Sequence, residues 1–385
     1  MRAGRHFLQI PGPSNVPDRV LHALARQTID HRGPTFAELS KRVLDRVREV
    51  FQTREPVIIY PSSGTGAWEA ALVNTLSPGD AVLMYETGHF ATLWAQMARR
   101  FGLEVEFLEG DWRTGVDAKR MQEALAADPS RYRAVAVVHN ETSTGVTSDI
   151  AAVRAAIDEA GSEALLLVDT ISSLGSVDYR HDEWGVDVTV CCSQKGLMLP
   201  PGLGFNAISA KARAAAADAR LPRSYWDWEE MLAPNEAGFY PYTPATNLLY
   251  GLDVAIDLLL EEGLAEVFAR HDRHAEATRR AVAHWGLELL ATIPEERSSV
   301  LTAVLMPEGH DADAFRQIAL DRFDLSLGAG LSKVKGRVFR IGHLGDINEL
   351  TLAGTLAGVE SALQLAEVPI SGGGVAAAMA YLADG

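Results

Sequence analysis

Lys195 stands as the only cation in VDVTVCCSQKGLMLPPGLGF, residues 186–205, between a β-rich apolar run and a second apolar stretch. A lysine amine held among apolar neighbours and near other cations loses its proton more easily, and the neutral amine is a nucleophile toward carbonyls. Snorkelling of the ammonium to the surface is the alternative reading. Two other sites carry chemistry of their own. Pro61-Ser62-Ser63-Gly64-Thr65-Gly66 lies between a strand-like run and the helix-like AWEAALVNTL. Free N–H groups at such a helix start bind phosphate, and small residues let it approach; an ordinary glycine-rich turn would look the same. Glu69 occupies the place where a dinucleotide fingerprint has its third glycine, and no Gly-Lys-Ser/Thr follows, so neither nucleotide motif is present. Asp169 ends the apolar run Leu165–Val168. At the carboxyl edge of a parallel sheet it would face a ligand, and a buried carboxylate needs a partner. Capping of the following helix is the alternative.

Elements must bring these three together. Apolar runs at Val57–Tyr60, Ala81–Tyr85, Glu104–Leu108, Ala134–His139, Leu165–Val168 and Val186–Cys192 alternate with helix-like segments such as Asp149–Ala160. Buried strands alternating with helices imply right-handed crossovers and a mainly parallel sheet of six or seven strands. After residue 245 the pattern shifts to long helices around VLTAVLM and VFRIGHL, the reading of a smaller α+β unit. The expected division is an N-terminal segment (1–20), a large domain (21–262) and a small C-terminal domain (263–385). Residues 197–201 and those after them read as an apolar loop behind Lys195.

Composition narrows the partners. The formal charge of −16 argues against nucleic acid and anionic membranes, which need clustered Lys and Arg. No apolar run reaches the length of a membrane span, and the N-terminus lacks the apolar core of a signal peptide. Cys191 and Cys192 are the only cysteines; adjacent thiols are poor disulfide partners and fit no zinc spacing, so reduced cytosol is the simplest location and no metal is expected.

Phosphate cradle, strand-end carboxylate and strand-end lysine, in that order, suit pyridoxal 5′-phosphate (PLP): helix N-terminus to phosphate, Asp169 to the pyridinium nitrogen, Lys195 to the aldehyde carbon. With Ser193-Gln194-Lys195-Gly196 followed by Pro200-Pro201-Gly202, the chain resembles the class V, fold-type I aminotransferases, in their serine/alanine/aspartate–glyoxylate branch. Pro11-Gly12-Pro13-Ser14-Asn15, Ser62–Gly66, His139–Val146, Val168-Asp169, Tyr240–Pro244 and Val338–Gly345 resemble further motifs of that family, in order along the chain.

The resemblance implies a large α/β domain with a mainly parallel seven-stranded sheet, and specific roles. Lys195 is the Schiff-base lysine and proton shuttle. Asp169 holds the pyridinium. Ser63, Gly64, Thr65 and Gln194 hold the phosphate. Thr142 faces the 3-oxygen, while Phe90 and Ile171 cover the two ring faces. Tyr240 and Thr243 reach the phosphate of a neighbouring subunit, so a homodimer shares its sites. Arg340 binds the substrate α-carboxylate. Independently, an arginine alternating within apolar VFRIG should be partly buried, and its planar fork suits a carboxylate; a structural salt bridge is the alternative. The implied reaction moves the amino group of a small L-amino acid, serine first with aspartate or alanine close behind, to glyoxylate by ping-pong chemistry. An aspartate donor would need a second cationic or donor group, for which Arg223, the indoles of Trp226 and Trp228, and His31-Arg32 are candidates. Cysteine desulfuration on the same fold would need a nucleophilic thiol on a mobile loop, which a strand end does not provide. A nicotinamide-dependent oxidoreductase lacks its fingerprint, and a noncatalytic cofactor binder would have no use for the Lys195, Asp169 and Arg340 set.

Overall fold

The computed structural model describes residues 4–383. Its larger sheet has seven strands in the order Val57–Ser62, Gly202–Ile208, Val188–Cys192, Leu165–Asp169, Tyr132–Val138, Ala81–Tyr85, Glu104–Leu108. Gly202–Ile208 runs antiparallel to both its neighbours, and the other six strands share one direction. Side chains alternate between two apolar layers. Val57, Ile59, Val135, Val137, Leu166 and Val168 pack on one face with Phe36, Phe51 and Phe205. Ile58, Tyr60, Ala134, Ala136, Leu165 and Leu167 pack on the other with Trp68, Trp94 and Trp228. Because both faces are covered, these strands read in sequence as unbroken apolar runs rather than as alternation.

Residues 202–208 are therefore a core strand and not the continuation of an apolar loop. Gly202 and Gly204 weaken the strand signal, and burial on both faces stabilises it regardless. The loop proper is confined to residues 193–201, fastened by Ser193 Oγ donating to the Pro200 carbonyl at 2.8 Å.

Four of the parallel strands end at Tyr85, Val138, Asp169 and Cys192, and all four open onto the same sheet edge. Val57–Ser62, running the same way, delivers the turn into helix Gly64–Thr75 there too.

A second sheet of five strands has the order Phe7–Gln9, Leu325–Ala329, Val338–Gly342, Leu301–Leu305, Glu288–Leu289. Helices Leu264–Trp285, Ala312–Phe323, Glu349–Leu365 and Gly374–Ala383 enclose its own apolar cluster around Trp285, Phe315 and Phe339. The N-terminal strand pairs in parallel with Leu325–Leu327, so the first residues belong to the sheet built by the last third of the chain. From there Pro11–Ser14 cross to the large sheet, where Ser14 N–H donates to the Gln194 carbonyl at 3.0 Å. Among the described residues no helix is long and apolar enough to cross a membrane, and no His, Cys, Asp and Glu cluster suits a metal ion.

Candidate active site

A cavity of about 150 Å³ opens at the carboxyl edge of the large sheet. Ser63, Gly64, Thr65, Phe90, Thr142, Asp169, Ile171, Gln194 and Lys195 all line it. Residues separated by 132 positions in sequence meet here because each sits just past the end of a strand of one sheet.

The phosphate-type corner is built by the turn into helix Gly64–Thr75. Ser63 is the N-cap residue, yet its side chain makes no capping hydrogen bond. The first N–H groups of the helix therefore stay available to an anion, aided by the helix dipole. Gln194 lines the same corner with a side-chain amide, whose NH2 is the group able to donate to an anion. A Cβ on Gly66 would lie 2.1 Å from Ser62 Oγ and 2.8 Å from the Trp226 ring, so only glycine allows this turn its close packing.

Asp169 is 3% exposed. Its Oδ1 accepts the Ile171 N–H at 2.7 Å and its Oδ2 accepts the Trp68 indole N–H at 2.9 Å. Burial pushes its carboxyl up to about 7, although both hydrogen bonds and the Lys195 ammonium pull the other way. A carboxylate so placed gains most from a cation brought to it by a ligand. It does not cap a helix.

Lys195 is half-buried, and desolvation lowers its pKa; Cys192 opposes this, Arg340 reinforces it and Asp169 opposes it. Its Nζ donates to the Pro11 carbonyl, and its own carbonyl accepts from Ser14 Oγ at 2.8 Å. Gly12 has φ +100°, and a Cβ there would come within 2.4 Å of the lysine side chain. The Pro11–Ser14 segment is thus the floor against which the lysine lies, which explains its spacing. Lys195 does not snorkel.

Arg340, 8% exposed, lies in the second sheet opposite Gly328 and Ala303. Its Nε donates to the Ala329 carbonyl at 2.8 Å and its Nη1 to the Thr142 carbonyl at 2.6 Å. Burial lowers it to about 10, with Glu141 opposing and Arg316 reinforcing the shift. It does not line the cavity itself but is bonded to the carbonyl of Thr142, which does, and its hydrogen bonds go to backbone carbonyls and to no carboxylate.

Several residues of the site escaped the sequence reading. Trp68, Val138, Asn140 and Ser172 complete the cavity wall. Glu141 is fully buried and accepts the N–H groups of Phe90 and Ala91, both at 3.1 Å, at the start of helix His89–Arg100, as well as Ser143 Oγ at 2.7 Å. It fixes Phe90 against the hairpin that carries Thr142. The general requirement that a buried carboxylate be partnered pointed to donors for Asp169, without saying which.

Other named residues lie elsewhere. Tyr240 packs edge-on against Phe36 at 6.2 Å and Thr243 is exposed; neither lines the cavity of its own chain. The Arg223 guanidinium is spent on Asp227 and on the carbonyls of Val73, Ala216 and Ala219. Trp228 is a core residue. Trp226 donates its indole N–H to Glu69 at 2.9 Å and its carbonyl accepts from Asn74 at 2.7 Å. Residues 223–228 thus brace the helix that carries the anion corner. His31 and Arg32 do not reach the cavity. Cys191 and Cys192 are buried free thiols; burial pushes Cys192 up to about 12 and Cys191 up as well, so neither resembles a reactive thiolate.

The chain is similar to known proteins over its whole length. It is 50% identical to a serine–glyoxylate aminotransferase of Methylorubrum extorquens, covering 100% of this chain and 97% of that one. It is 47% identical to an L-aspartate–glyoxylate aminotransferase of Paracoccus denitrificans, covering 97% and 95%. Its fold matches the crystal structure of pyridoxamine–pyruvate aminotransferase from Mesorhizobium loti with a TM-score of 0.93 at 29% identity, over 100% of this chain and 98% of that one. The family description Aminotransferase class-V matches residues 6–334. With the sheet-edge cavity that gathers Lys195, Asp169 and an uncapped helix start, these likenesses mean that the chain belongs to the class-V aminotransferases, of the fold-type I architecture.

Proposed function

We propose that this aminotransferase uses PLP to pass the amino group of a small L-amino acid, serine first and aspartate or alanine next, to glyoxylate. The observation that carries the reading is the meeting in one cavity of a half-buried lysine, a buried carboxylate raised to about 7, and an uncapped helix N-terminus. These three fit the aldehyde, the pyridine nitrogen and the phosphate of PLP, in that order. Bound PLP supplies an electron sink for the carbanion that forms when the amine's Cα proton leaves.

The chain's own residues do the rest. The N–H groups of Gly64, Thr65 and Gly66, with Ser63 and the Gln194 amide, hold a phosphate. Asp169, kept in place by Trp68 and the Ile171 N–H, stabilises a protonated ring nitrogen. Phe90 and Ile171 line the cavity as the apolar covers of a flat ring, and Thr142 offers a hydroxyl to its 3-oxygen. Lys195 Nζ anchors the cofactor and, once free, takes the Cα proton and returns it, a task eased by the burial that favours its neutral form. Arg340 orients the carboxylate that donor and acceptor have in common. One arginine therefore serves both halves of a ping-pong cycle.

Serine ranks first because the wall offers hydroxyl and amide groups from Asn140, Thr142 and Ser172, with Lys195 as its one cation among the described residues. The side-chain carboxylate of aspartate would need a further cation. The relatives named for serine and for aspartate support both donors. Tyr240 and Thr243, lying outside the cavity of their own chain, are read as contributions to a partner's site in a homodimer, and the cytosol as the location.

The test is a half-reaction panel. The purified, yellow protein is mixed singly with serine, alanine, aspartate and glutamate, and the loss of visible absorbance is followed. Serine should bleach it fastest, and Lys195→Ala should not turn over. An active but colourless wild type would sink the PLP reading, and fastest bleaching by glutamate would sink the donor ranking.

A further inference from the structure

A second and larger cavity, about 470 Å³, lies beside the edge strand Glu288–Leu289 of the small sheet and shares no lining residue with the first. Four guanidinium groups, of Arg113, Arg279, Arg280 and Arg297, surround it, with only Glu276 and Glu288 as carboxylates. Helix Leu264–Trp285 places Glu276, Arg279 and Arg280 on one face by their i, i+3 and i, i+4 spacing. Glu276 is shared: its Oε2 accepts from Arg279 Nε at 3.2 Å and its Oε1 from Arg280 Nε at 2.8 Å. Glu288 is taken by Arg113. The Arg297 guanidinium donates only to the Ala291 carbonyl, at 3.4 Å.

The cleft so formed carries four positive and two negative charges in a chain whose net charge is −16. With one carboxylate divided between two guanidinium groups, the cleft retains donors and positive charge that an anion can take up. A concave site of one sign also concentrates its counter-ion. The excess of two positive charges matches a phosphomonoester, which carries close to two negative charges at neutral pH, and guanidinium forks suit its oxygens. Leu287 and Leu289 provide an apolar wall for the carbon skeleton of such an ester. The cleft is also built firmly. The Arg113 carbonyl accepts from Thr292 N–H at 3.1 Å, and Arg113 Nε donates to the Leu290 carbonyl at 2.9 Å.

We propose that this arginine-lined cleft is a binding site for a small phosphomonoester, separate from the aminotransferase site. Calorimetry on the dialysed holoenzyme, free of excess cofactor and with ionic strength balanced by chloride, tests it with inorganic phosphate and glycerol 1-phosphate as probes. Both should bind saturably, phosphate in roughly the millimolar range, and the ester should bind more tightly. Arg113→Gln combined with Arg280→Gln should weaken both at least tenfold. Glu276→Gln should tighten both severalfold, which keeps the test sharp if the double variant folds poorly. Arg340→Gln should leave phosphate binding unchanged. Absence of saturable binding, indifference to the substitutions at 276 and at 113 with 280, or loss of binding on Arg340→Gln would overturn the site. An ester binding no better than phosphate would overturn the assignment to an organic ligand.

Discussion

Trp68 donates its indole N–H to Oδ2 of Asp169 at 2.9 Å from the second turn of the helix whose first turn carries Gly64 and Thr65. One helix therefore presents free N–H groups to one end of the cavity and steadies the carboxylate at the other. Trp68 also stacks on Trp94, with ring centroids 5.8 Å apart and planes 12° from parallel. This fixes the indole where the carboxylate needs it.

Trp68→Phe keeps a ring in that stack and removes the donor. A hydrogen bond to a charged group is worth about 1.5–3 kcal/mol. PLP should then dissociate roughly ten to a hundred times more readily, as read by absorbance titration of the cofactor-free protein. An unchanged dissociation constant would show that Asp169 needs no help from the indole.

The raised carboxyl of Asp169 makes a signed prediction. Its ordinary value is 3.8 and its folded value is about 7. Between these values the folded state binds more protons than the unfolded one, so this group's share of stability falls as pH rises from about 4 to about 7. Asp169→Asn should make the cofactor-free protein more stable than wild type at pH 8, by a few kcal/mol at most, with the gap closing by pH 4. The same substitution should weaken PLP binding. His139, His181 and His274, each lowered to about 4 by burial, push the other way, costing stability as pH falls below 6.5. The comparison of denaturation midpoints must therefore be made between variant and wild type at each pH. Equal stability at pH 8 would contradict the burial argument.

Arg340→Lys retains a cation and loses the fork. The lysine would not reach both the Ala329 and Thr142 carbonyls that hold the guanidinium. KM for the amino donor and for the keto acid should both rise about ten- to a hundredfold, with a smaller change in kcat. A rise confined to one of the two substrates would remove the shared role.

Trp226→Ala opens space above Gly66 and frees Glu69 from its indole partner. The anion corner should loosen, raising the PLP dissociation constant severalfold while kcat at saturating cofactor stays within about twofold of wild type. Loss of kcat at full cofactor occupancy would place Trp226 in the chemistry instead of in support.

The sequence alone carried the chemistry of each separate position. An anion-seeking turn at 61–66, a strand-end carboxylate at 169 and a lysine after an apolar strand at 195 are local statements, since each depends on residue types and a few neighbours. So is the alternation of apolar runs and helices that dictates a mainly parallel sheet opening on one edge. Partnership was decided only by the tertiary structure. Trp68 reaches across 101 residues to Asp169, Pro11 across 184 to Lys195, and Arg340 across 198 to Thr142. Gly202–Ile208, glycine-containing and loop-like in sequence, became a core strand because strands on both sides supplied its hydrogen bonds. Such choices depend on which surfaces close on one another, and no local pattern encodes them. Lys195, ambiguous between a snorkelling side chain and a nucleophile while it was only a letter in an apolar run, is held by a segment near the N-terminus, 184 residues away.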